Sequence, residues 1–193
     1  MTAIVTVTAV VVFEWTIVHA LWYAPDTEVS FSRPHMAAMA AADPADYPER
    51  FEIPALHINT TIQQVGINSK GNMGVPDNFT DVAWYKYGPA PGQTGSAVID
   101  GHVDNGLGLD GVFKHLSDIQ IGDDIFVDTK SGKRLHFVVR EIDSYPYKDV
   151  AVDRLFNPSD AVRLNLVTCE GVWVKGDKTY DHRLVVYTEL VGN

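Results

Sequence analysis

The 193-residue chain has a single cysteine, Cys169, so no disulfide can form within it and its stability must come from a buried core. Basic residues are also scarce. Fifteen Lys and Arg against 25 Asp and Glu leave a formal net charge of -10, and the basic residues form no cluster that could grip a phosphate backbone, so a nucleic-acid partner is excluded. The chain has no glycine-rich phosphate loop, no Cys/His pairs at zinc spacing and no internal repeat. Those absences argue against nucleotide binding, structural zinc and a solenoid, and no cofactor or metal is expected.

A hydrophobic content of 46% is enough for a real core. Part of it lies at the N-terminus, where residues 2–13 read TAIVTVTAVVVF and, after Glu14, the apolar run resumes to Tyr23. A bilayer-crossing helix needs about 20 such residues, and flanking Val, Ile, Phe and Trp offset the cost of one carboxylate. Trp22 and Tyr23 fall where an interfacial aromatic belt would, although no Lys or Arg precedes the run to set orientation. Val18-His19-Ala20 could alternatively be a signal-peptide cleavage site. Either way the following domain is exported. Pro25, Pro34, Pro44, Pro48 and the Ala-rich patch 36–42 then mark a spacer. The expected organisation is an anchor over 1–23, a linker over 24–50 and a folded domain over 51–193.

From Phe51 the pattern changes to short β-type runs separated by Gly, Pro, Asn and Asp. FEIPALHI, TTIQQVG, SAVIDGH, DIFVDT, RLHFVVREID, VRLNLVTC and RLVVYTEL are the clearest strands, with a hairpin turn at Lys130–Lys133. Short helices are expected at GVFKHLSDI and DVAVDRLF. The fold class is mainly β, with seven or eight strands closing into a barrel.

Cysteine count alone favours reading Cys169 as a small buried hydrophobe; its position suggests more. It closes VRLNLVTC beside a loop, at an exposed rim, and Arg183 opens the next strand. Antiparallel pairing of those strands would set thiol and guanidinium side by side. A nearby cation favours the thiolate, and a guanidinium offers a fork of donors to a carbonyl oxygen. His102 ends an apolar strand after Gly101, an ordinary place for an acid/base group. His182, next to Arg183, could also reach the thiol.

Four stretches together resemble the sortase family, in particular class F-like sortases: residues 82–125, with the Gly-His-Val-Asp segment, then REIDSYPYKD, LVTCEG and HRLVVYTEL. The resemblance covers residues 51–191. It implies a closed sortase-like β-barrel, with His102 as acid/base, Cys169 as nucleophile and Arg183 holding the substrate carbonyl and its developing oxyanion. Thr168 and Trp84 are candidate substrate-binding residues as neighbours of these three. The implied reaction cleaves an LPxTG-like sorting signal between Thr and Gly through a thioacyl enzyme and joins it to an amine of a peptidoglycan precursor or a pilin. It implies an enzyme held at the cell membrane by one span, its catalytic domain outside. Glu170-Gly171 replaces the Gly-Gly that many class F members carry after the cysteine, and such sites do not require Asp104 as a third member. Alternatives are an inactive surface binding module of the same fold and a cell-wall L,D-transpeptidase, whose Ser-His-Gly-Cys segment VTCEG lacks. A metal hydrolase using His102, Asp104 and His182 lacks zinc spacing.

Overall fold

The computed structural model describes residues 43–156 and 160–192. Eight strands follow one another: β1 (Pro48–Ile53), β2 (Ile58–Val65), β3 (Val82–Tyr85), β4 (Gly95–Gly101), β5 (Asp124–Thr129), β6 (Arg134–Pro146), β7 (Val162–Val174) and β8 (Thr179–Leu190). One short helix, α1 (Val152–Phe156), lies between β6 and β7. The strands close a barrel in the order β1-β2-β3-β4-β7-β8-β6-β5. All its pairings are antiparallel except β2 with β3 and β4 with β7.

Side-chain alternation divides the sheet into two faces. Phe51, Ile99, Phe113, Phe137, Leu166 and Val186 point inward and make the main core, with Phe51 and Phe113 edge to face at 5.9 Å. Val98, Val167, Val185 and Tyr187 point outward, and Leu155 of α1 covers them in a second, smaller cluster. Asn165 Nδ2 donates to the Leu155 carbonyl at 2.8 Å, tying α1 to that outer face. Burying a Leu or Val side chain contributes about 1.5–3 kcal/mol.

The barrel departs from the sequence reading in several places. FEIPALHI is not one strand: Pro54 begins a 3-10 turn over Pro54–Leu56, and His57 takes φ 55° before β2 starts, because proline withholds the donor a continuing strand needs. VAWY, which alternation does not reveal because all four side chains are buried, forms β3. GVFKHLSDI holds only the 3-10 turn Leu116–Asp118, while DVAVDRLF does contain α1. β1 begins at Pro48, so the last three residues assigned to the linker belong to the barrel. No described helix is long and apolar enough to cross a membrane; the expected anchor over 1–23 lies outside the described residues.

Candidate active site

Cys169 does not close its strand and is not at an exposed rim. β7 runs on to Val174, β8 begins at Thr179, and the thiol sits within the ladder at 3% exposure. The extra length comes from WVKGDKTY, which reads as loop because of its charge but pairs as a hairpin, Trp173 with Tyr180 and Val174 with Thr179. The expected antiparallel pairing is present: Cys169 lies directly opposite Arg183.

The third residue falls in the same row. β4 and β7 run parallel from Gly95 opposite Val162 to Asp100 opposite Val167, and carrying that register on by two residues sets His102 level with Cys169. Cys169 and Arg183 thus stand side by side on adjacent strands, about 4.8 Å apart, and His102 follows directly on the end of β4, the strand on the other side of β7. Alternation from Val98, Val167 and Val185 puts all three on the outer face. His182 turns the other way and pairs with Asp181, its Nδ1 2.9 Å from the carboxylate.

Each of the three is held. His102 is 1% exposed, and its Nε2 lies 3.1 Å from the Pro76 carbonyl; a carbonyl oxygen only accepts, so Nε2 carries a proton in this arrangement. Gly101, just before it, has no room for a side chain, since a Cβ would lie 2.6 Å from Phe113 Cδ2. Arg183 is fully buried. Its Nη1 donates to the carbonyls of Tyr180 at 3.0 Å and His182 at 2.9 Å, its Nη2 donates to Thr179 Oγ1 at 2.8 Å, and the guanidinium carbon lies 5.7 Å from the Tyr147 ring centre. Its Nε has no hydrogen-bond partner among the described residues. The guanidinium is thus fixed by two of its nitrogens and keeps a donor on the third, Nε, which is itself buried.

Beside the thiol a cleft of about 190 Å³ opens, lined by Thr168, Phe113, Lys114, Glu170 and Tyr180 among others. Thr168 borders it, but its hydroxyl donates to the Gly101 carbonyl at 2.7 Å, joining β7 to β4 just before His102. Trp84 does not line this cleft. It is 1% exposed in the core, its Nε1 donating to the Pro89 carbonyl at 3.0 Å and its ring 5.4 Å from Tyr47, so substrate cannot reach it without opening the barrel.

The sequence reading missed Tyr180, whose hydroxyl donates to the Asp104 carboxylate across 76 residues of chain. Burial, then that carboxylate and the nearby Cys169, push its hydroxyl well above the usual phenol range, which keeps it a donor. No short-range signal links the two residues. Among the described residues, no three His, Cys, Asp or Glu side chains gather in a way that could hold a metal ion.

A family model of the sortase domain matches residues 51–191, and the chain belongs to the sortase family. No curated protein matches it. Solved structures similar to it include sortase A from Corynebacterium diphtheriae, with TM-score 0.60, 20% identity, and 76% of this chain against 61% of that one covered. A Clostridium perfringens sortase D5 transpeptidase gives TM-score 0.57, 20% identity, and coverage of 76% and 79%. Sortase C-1 from Actinomyces oris gives 0.58, 22% identity, and coverage of 79% and 76%. At such identities the likeness speaks for the shared fold, and the chain spans about three fifths of the Corynebacterium structure.

Proposed function

We propose that this chain is a class F-like sortase, a cysteine transpeptidase that cleaves an LPxTG-like sorting signal between Thr and Gly and joins it to an amine. One observation carries the reading: Cys169 lies directly opposite Arg183 on paired strands, and His102 follows the end of β4, the strand that pairs with β7 on its other side. The Cys169 thiolate attacks the Thr carbonyl carbon, and the Arg183 guanidinium donates a hydrogen bond to the oxygen as it gains negative charge. The Thr–Gly C–N bond breaks as His102 gives a proton to the leaving amine, leaving a thioester on Cys169. An incoming amine then forms a C–N bond to the same carbon, its proton passes to His102, and the C–S bond breaks to release the thiolate. Water in place of the amine gives hydrolysis. The amine belongs to a peptidoglycan precursor or a pilin, the domain faces the outside of the cell, and the apolar stretch 1–23 holds it at the membrane.

Thr168 keeps a place in this reading as a residue that borders the cleft and ties the Cys169 strand to the His102 strand. The near-complete burial of Cys169 favours a second reading, an inactive surface module with a merely structural thiol. The test incubates the full chain in detergent with a quenched LPxTG peptide and an amine, beside Cys169→Ala. Amine-joined product that vanishes in the variant supports the transpeptidase. No cleavage across a varied peptide panel, together with a thiol no more reactive than free cysteine, supports the module.

A further inference from the structure

The loop after His102 is ordered by its own bonds. Asn105 Oδ1 accepts from the backbone N–H of Leu107 at 3.0 Å and of Leu109 at 2.9 Å, Gly111 N–H donates to the Val103 carbonyl at 3.0 Å, and Phe113 N–H donates to the His102 carbonyl at 2.9 Å. Asp104 and Asp110 form an isolated antiparallel bridge across it. The result is a compact, internally bonded loop. Its carboxylate, Asp104, is 9% exposed and plays no part in the chemistry described above.

The β7–β8 hairpin reaches over to that loop, and its backbone shows how. The ladder is in register to Glu170 opposite His182 and resumes at Trp173 opposite Tyr180, with a bulge between. Gly171 sits in the bulge at φ 86°, and Val172 N–H donates to Asp181 Oδ1 at 2.7 Å. A bulge bends its strand and re-aims the side chains beyond it. The strand bent here is β7, and it brings Trp173 opposite Tyr180 of β8. Tyr180 makes three contacts at once. Its hydroxyl donates to Asp104, its carbonyl accepts from Arg183 Nη1 at 3.0 Å, and its ring meets Trp173 edge to face at 5.4 Å.

We infer that Tyr180 is a positioning residue that braces the site, its hydroxyl tying the His102 loop, through Asp104, to the strand that carries Arg183. Cys169 is fixed to Arg183 by direct strand pairing, whereas His102 lies just past the end of β4, held by the Pro76 carbonyl and by Phe113 N–H. The brace adds a tie from its loop to β8. The inference rests on the transpeptidase reading above, and it gives Asp104 a task without making it a third member of the reacting group.

The test compares wild type, Tyr180→Phe, Asp104→Asn and the double variant, all as full chain in detergent, with kcat and KM normalised to titratable Cys169 thiol. Tyr180→Phe keeps the ring and the carbonyl and removes only the hydroxyl, so kcat is expected to fall about tenfold, the scale of one hydrogen bond to a carboxylate, with KM little changed. An amide oxygen still accepts, so Asp104→Asn is expected to lose less. The double variant is expected to fall no further than Tyr180→Phe alone, because both changes remove the same bond. Full kcat in Tyr180→Phe, or losses that multiply in the double variant, would overturn the brace. Normalisation removes any loss that is only misfolded protein. Wild type without turnover is a different result: it refutes the transpeptidase reading, and the brace falls with it.

Discussion

Replacing Arg183 with alanine separates the structural job that its hydrogen bonds show from the catalytic one proposed for it. For stability, the change deletes three donated hydrogen bonds, to the carbonyls of Tyr180 and His182 and to Thr179 Oγ1. At about 1 kcal/mol net each, this amounts to ~3 kcal/mol. Each kcal/mol shifts Tm by about 2–4 °C at this size, so Tm should drop by roughly 6–12 °C. For catalysis, the change removes the donor left on Nε and the charge beside the thiol, and losing one such oxyanion donor costs about 10²–10³ in kcat. The two effects come apart if turnover of a quenched sorting-signal peptide is measured well below the lowered Tm and divided by titratable thiol. Arg183→Lys sharpens the comparison: it keeps the charge but presents it as a point rather than a planar fork, and should fall between wild type and Arg183→Ala. The reasoning is refuted if Arg183→Ala keeps kcat within about threefold of wild type, since a loss that small is far below that of any oxyanion donor. The guanidinium would then be only a strut beneath the hairpin.

Trp84→Phe should lower Tm, because it strips the Nε1 bond to Pro89 and leaves a void against Tyr47. It should leave KM for the sorting-signal peptide unchanged, as expected of a core residue; a KM that rises severalfold would restore Trp84 to the binding site. Asp181 offers a pH test. Its hydrogen bond from His182, and then that from Val172 N–H, hold its carboxyl below the usual range. A depressed carboxylate stabilises the fold above its unfolded pKa and loses that contribution as pH falls through the folded value. Asp181→Asn should therefore flatten the fall of Tm between about pH 5 and about pH 3, and an unchanged slope would show that the bulge does not depend on this charge.

How much of this the sequence discloses depends on the range of the interactions. Alternating runs such as DIFVDT and RLHFVVREID are half-buried strands, and their pattern survives in β5 and in β6 as far as Val139, where a bulge shifts the register. VAWY carries no alternation, because β3 is covered on both faces, and a continuous apolar quartet has no period to detect. Cys169, His102 and Arg183 were singled out by residue type and setting, and the juxtaposition of Cys169 and Arg183 follows once β7 and β8 pair. Their burial was not legible. The polar run after Glu170 looks like a solvated loop, yet it extends the ladder and lifts the hairpin over the thiol. The Asp104–Tyr180 contact is hidden for a different reason: it joins residues 76 positions apart, and neither residue's neighbours in sequence record the other.

The strand order also sets when the thiol can become reactive. His102 arrives with β4, Cys169 with β7 and Arg183 with β8, the last strand in chain order, which slots between β7 and β6 to close the ring. A chain emerging from N- to C-terminus, from a ribosome or through a membrane, therefore holds its only cysteine without Arg183 beside it until that closing strand docks. Until then it is an ordinary thiol with little power to acylate on stray peptides in transit. On the proposed mechanism, the guanidinium that the thiol needs comes with the last strand to dock, so an arrested or clipped chain fails silent rather than half-armed.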